Sequence, residues 1–162
     1  MGSGITEINK DTFWQLIEET KNQCGQDMDA SISWIKKELL SMPPEQSLQF
    51  HAIMHGYRDL ADKYGLWTAA IFIKEYGCSD DGFMDFRAWL IAQGKDIYMA
   101  ALENPDSLTR VEQYGDCEFE LLNYVGDYAY QELTGRSAYV DCTPEMENRV
   151  LEEISGEIKY HP

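Results

Sequence analysis

Apolar residues recur at three and four residue steps along most of the chain, with polar residues between them. That period puts the apolar side chains on one face of an α-helix. The first such run holds Phe13, Leu16, Ile17 and Thr20, with Asn9 or Asp11 as N-cap and Gly25 past its end. In the second, Asp27 or Asp29 is the cap and Ile32, Ile35 and Leu39 form a stripe, before Ser41-Met42-Pro43-Pro44 breaks it. A third helix, led by Ser41 or Met42, opens on prolines whose missing N–H groups cost nothing in a first turn. Its buried face is predicted as Leu48, Phe50, Ile53, Met54, Tyr57 and Leu60 or Ala61, closing at Gly65.

The run Leu66 to Tyr76, LWTAAIFIKEY, is apolar almost all round, which predicts a helix in the middle of the core, stopped by Gly77. Next comes CSDDGFMDFRAWLIAQG, Cys78 to Gly94, where Ser79 is a preferred N-cap and Phe83, Phe86 and Trp89 or Leu90 step along one face. A short helix is predicted over Lys95 to Leu102, ended by Asn104-Pro105. After an irregular stretch from Asp106 to Asp116, helical spacing resumes over Glu118 to Leu133, with Gly135 just beyond. Ser137 to Cys142 is too short to classify, and Thr143-Pro144 opens a last helix through about Ile154. No run alternates with period two. The expected fold is all-α, a single compact domain of seven or eight helices over residues 5–162, with Met1 to Gly4 a cloning remnant.

Composition narrows what such a domain can do. The 162 residues are 44% hydrophobic and 12% aromatic, enough for one substantial core. Twenty-nine acidic against 13 basic residues give a net charge of −16, which repels phosphate backbones and anionic lipid, so neither nucleic acid nor membrane is an expected partner. The excess is uneven: residues 1–81 carry −6, residues 82–102 are neutral, and residues 103–162 carry −10. Cys24, Cys78, Cys117 and Cys142 form no CxxC pair, and no run is long enough to span a membrane, so a reduced cytoplasmic setting is expected.

Candidate chemistry is sparse. Asp80 and Asp81 fall in a first helical turn, where negative charge meets unpaired N–H groups and the positive end of the helix dipole, and this accounts for both without chemistry. The rival reading groups Asp80, Asp81, Arg87 and Trp67 as a small-molecule or catalytic site, with Asp85 one turn from Asp81 and Arg87 holding an anionic group. His51 and His55 have the i, i+4 spacing of paired metal ligands, but the glutamate of a metalloprotease motif is missing, so packing histidines are expected. Cys78 precedes a helix N-terminus, a place that can lower a thiol pKa, and only those histidines could serve it as base. No phosphate-binding glycine loop, dinucleotide fingerprint or GxSxG is present, and no cofactor is expected.

Phe13-Trp14-Gln15-Leu16-Ile17, the Leu40 to Glu45 turn, Leu66 to Ala70, the CSDDGFMDFRAWLIAQG stretch and Ala100 to Leu108 together resemble a widespread, mainly bacterial family of domains of unknown function. Its members share an FWxLI opening and a GCSDDGFxxFRxWLIxxG centre. The resemblance runs from about Asp11 to Gly135, which leaves residues 136–162 as a C-terminal extension. It implies a single bacterial-type cytoplasmic domain and brings no catalytic residue with it.

The charge distribution therefore leads the functional expectation: a non-enzymatic domain whose acidic C-terminal third docks a basic protein. Glu118, Glu120, Tyr124, Glu152 and Glu153 are the expected contact residues, carboxylates with tyrosine supplying contact area. An immunity-type inhibitor that covers a basic toxin site is one version, and a regulator of a nucleic-acid-binding protein is another.

Overall fold

Local capping fixes where most helices begin. A computed structural model describes residues 4–74 and 78–158. Helix α1 (Lys10–Cys24) starts at Asn9, whose side chain accepts from the Asp11 and Thr12 amides, while Thr12 returns a bond to the Asn9 N–H. Asp27 caps α2 (Met28–Leu40), Ser79 caps α5 (Asp80–Ala92) and Thr143 caps α9 (Pro144–Ser155), all by side-chain oxygens on N–H groups of the first turn. The remaining helices are α3 (Pro44–Leu60), α4 (Tyr64–Ile73), α6 (Lys95–Glu103), α7 (Val125–Thr134) and the single turn α8 (Ala138–Asp141). Two 3-10 segments, Pro105–Arg110 and Glu120–Asn123, complete the order, and there is no strand among the described residues.

Helix α3 is the centre of the domain. It packs against α2, α5, α7, α8 and α9, and its Phe50, Ile53, Met54 and Tyr57 are buried with Ser47, His51 and Ala52 on its other sides. Close approach on two faces depends on glycines. A Cβ on Gly126 of α7 would lie 3.1–3.2 Å from the His51 backbone and Cβ, and one on Gly56 would lie 2.6 Å from Ile154 Cδ1 of α9. An aromatic cluster of Phe13, Trp14, Phe50, Tyr57 and Tyr98 joins α1 and α6 to α3, with ring centroids 4.7–5.7 Å apart. Tyr98 Oη donates to the Tyr57 carbonyl at 2.5 Å.

Three expectations need correction. α4, expected at the centre, is peripheral: Leu66 and Ala70 are buried, but Ile71 is 41% and Phe72 81% exposed. Its main neighbours among the described residues are α5 and the first 3-10 segment. The helix expected from Glu118 begins at Val125 instead. Cys117 takes a left-handed φ of 55°, Phe119 is non-helical and donates to the Asp85 carbonyl at 2.9 Å, and one 3-10 turn follows. Spacing of three suits that turn as well as an α-helix, which is why Phe119 and Leu122 read as helical. Finally, α3 begins at Pro44 behind Pro43 rather than a Ser41 or Met42 cap, and stops at Leu60, four residues before the position expected from Gly65. Met1 to Ser3, Tyr76, Gly77 and His161 lie outside the described residues. No helix among those described is long and apolar enough to cross a membrane.

Candidate functional site

The Ser79 cap aims the start of α5 at solvent. Its Oγ accepts from the Gly82 amide at 3.0 Å, and Asp80 and Asp81 stand exposed in the first turn. One turn on, Asp85 is 9% exposed, and its backbone carbonyl anchors Phe119. That anchor carries Glu118 and Glu120 to α5, so residues more than thirty positions apart share one patch. Burial, then the charges of Glu120, Glu118 and Asp81, push the Asp85 pKa up to about 6. Lys74 opposes the shift and is ion-paired with Glu118. Phe72 and Ile71 project to solvent from the last turn of α4, two and three residues before Lys74.

Arg87 and Trp67 belong to a different layer. Arg87 is 8% exposed: Nη1 donates to the Arg58 carbonyl at 3.0 Å, Nε to the Phe83 carbonyl at 3.4 Å, and the guanidinium lies 4.6 Å from the Phe83 ring centroid. Trp67 meets the same Phe83 ring edge-on at 4.7 Å. Burial lowers the Arg87 pKa, and the charges of Asp62 and Asp59 oppose the shift. Phe83 thus brings Arg87 and Trp67 together, while Asp80 and Asp81 are exposed in the first turn of α5.

The two histidines do meet. His51 and His55 stack with centroids 4.1 Å apart, and Tyr139 of α8 stands edge-on to both at 4.6 and 5.6 Å. His51 is 4% exposed and its Nδ1 has no hydrogen-bond partner among the described residues, whereas His55 Nε2 donates to the Asn123 carbonyl at 2.9 Å. Burial, then the neighbouring imidazole, lowers the His51 pKa to about 3; burial, then Arg58, lowers that of His55 to about 4. Both rings are neutral near pH 7. No group of three metal-ligating side chains is placed to hold an ion among the described residues. Cys78 shows no activation: burial raises its pKa, with Lys74 opposing, against the lowering its position suggested.

A family model described as protein of unknown function (DUF4240) matches residues 8–132. The chain belongs to this family. No curated protein and no solved structure matches it. The DUF4240 match takes in the acidic patch, Arg87, Trp67 and both histidines, and it stops within α7, before Tyr139 and α9.

The segment beyond the DUF4240 match is nonetheless part of the same core. Val150 and Ile154 are buried against α3, and Glu157 accepts from Tyr57 Oη at 3.0 Å and pairs with Lys95 at 2.9 Å and Lys10 at 3.7 Å. Asp127 ties α8 to α7, accepting from Ser137 Oγ at 3.0 Å and the Ala138 amide at 2.7 Å. Of the expected contact residues, Glu118 and Glu120 join the acidic patch, and Glu152 and Glu153 are exposed on α9. Tyr124 packs with Tyr128 and Tyr139 at 6.2 and 6.4 Å. Sequence reading missed Phe72 and Ile71 as surface groups. The only signal for them was an apolar run too uniform to show which side would lack a neighbour.

Proposed function

We propose that the domain is a non-enzymatic interaction module that docks a basic protein through the acidic patch at the start of α5. The observation that carries this reading is the gathering of Asp81, Glu118 and Glu120 about Asp85, with Lys74 paired to Glu118 and Phe72 81% exposed close by in the chain. Carboxylates speed encounter with a basic surface and reject acidic ones, and an exposed aromatic supplies an anchor that a partner can desolvate. Asp85 adds a coupling: a lysine or arginine brought beside it favours its ionised form, so binding near pH 6 releases a proton. Arg87, with its hydrogen bonds made to two carbonyls, acts as scaffold beneath that surface. Four free thiols suit the reducing compartment in which such a module would work.

Affinity capture from the native cell at low and high salt, read by mass spectrometry, tests the reading. The expected result is a basic protein retained at low salt, released at high salt and lost from a Phe72→Ala bait. Retention that ignores both salt and Phe72 would remove the support.

A further inference from the structure

We propose that a second site, the cleft between the C-terminal end of α1, α6 and residues 105–114, binds a small organic anion with an apolar body. The cleft holds about 760 Å³, a size typical of small-molecule sites. Ile97 and Ala100 of α6, with Val111 and Tyr114, give it apolar walls. A second, narrow crevice lined by Ile17, Ile35 and Leu122 shares Lys21, Gly25 and Tyr114 with it. One wall is irregular chain: from Asn104 to Tyr124 the backbone forms only two 3-10 segments. Irregular segments of that length in small domains are commonly functional.

Charge selects the ligand. Lys21 is half-buried, and its Nζ donates to the Gln93 carbonyl at 2.9 Å. Neither Lys21 nor the exposed Arg110 has a carboxylate partner among the described residues, although acids outnumber bases 29 to 13. Lys10, Lys36, Arg58, Lys74, Lys95 and Arg136 have one, whereas Lys37, Arg87 and Arg149, like Lys21 and Arg110, have none among the described residues. The lining sets Lys21 and Arg110 against Asp96 and Glu112, but neither cation is ion-paired with either acid, so both can meet an incoming carboxylate while the apolar body lies on Ile97 and Tyr114. Gln93, 5% exposed, fixes the Tyr114 wall by donating from Nε2 to Tyr114 Oη at 3.0 Å and to the Trp89 carbonyl at 2.8 Å. Asp96 and Glu112, exposed on the lining, oppose the anion.

Titration of octanoate and 4-phenylbutyrate against the neutral 4-phenylbutan-1-ol, followed by NMR at low salt, tests the site. Saturable shifts are expected at Lys21, Ile97, Arg110 and Tyr114, with the carboxylates binding at least ~10-fold more tightly than the alcohol, the scale of one charge-assisted contact. Arg110→Gln, at an exposed position, should weaken both carboxylates about 5-fold, and Lys21→Gln by at least as much. Asp96→Asn with Glu112→Gln should strengthen them by removing repulsion, and weaker binding by that variant would also count against the proposal. No saturable binding by either carboxylate up to about 10 mM, equal affinity for the alcohol, or shifts confined to another surface would overturn the proposal.

Discussion

The histidine–tyrosine group on α3 and the acidic patch at the start of α5 use residue types that mark reactive centres, yet they differ in what water reaches. His51 is 4% exposed and both imidazoles are neutral, so that group is a packing device with polar atoms. In the patch, Asp81 and Glu120 are exposed, Glu118 is half-buried and Asp85 is drawn further inward. One residue joins them. Asn123, 1% exposed, accepts from His55 at its carbonyl and from Arg58 Nη1 at Oδ1, and its Nδ2 reaches Asp85 Oδ1 at 3.4 Å. Accessibility, rather than residue type, separates scaffold from surface here.

Acid should break the comparison most visibly. The folded-state pKa values of His51 and His55, about 3 and 4, lie below the unfolded 6.5, so the unfolded chain takes up protons first as pH falls. Their contribution to stability is complete above pH 6.5 and is lost on the way to pH 4 and below, by about 3 kcal/mol or more at pH 4. Urea midpoints across this range check it, and His51→Gln with His55→Gln should flatten the slope. Asp85 has the opposite sign. Its folded value of about 6 lies above the usual 3.8, so stability falls as pH rises between those values.

The next effect is steric. Gly126→Ala meets the backbone of His51, which cannot move aside, and should cost about 2 kcal/mol; Gly56→Ala meets the far end of Ile154, which can turn, and should cost less than about 1 kcal/mol. Equal losses in thermal unfolding would count against the difference between the α3–α7 and α3–α9 contacts. Smaller still, Asp85→Asn should stabilise by about 1 kcal/mol at pH 8 and by nothing at pH 4, because the amide keeps the Asn123 contact without the buried charge.

What was legible in the sequence follows from range. Asn9, Asp27, Ser79 and Thr143 act on amides within three residues, and each marks a helix start as expected. Gly25, Gly94 and Gly135, all at positive φ, mark three ends. The i, i+4 spacing of His51 and His55 foretold their meeting, but Tyr139, more than eighty residues on, was beyond any local pattern. The acidic patch was half visible: Asp80 and Asp81 were noted with Arg87, and Glu118 and Glu120 with the C-terminal acids. Tertiary contacts unite them: the Phe119–Asp85 backbone bond, the Asn123–Asp85 side-chain bond and the Lys74–Glu118 ion pair. The apolar run of α4 gave the helix correctly and its place wrongly, because periodicity records which faces are apolar and not what covers them.

The dissociation constant of the captured basic partner, measured for two charge-reversed proteins, tests the central claim most directly. Glu118→Lys with Glu120→Lys should weaken binding about 100-fold, while Glu152→Lys with Glu153→Lys on α9 should change it less than about 3-fold. Equal weakening by the two pairs, or a larger loss from the α9 pair, would contradict a docking surface at the start of α5.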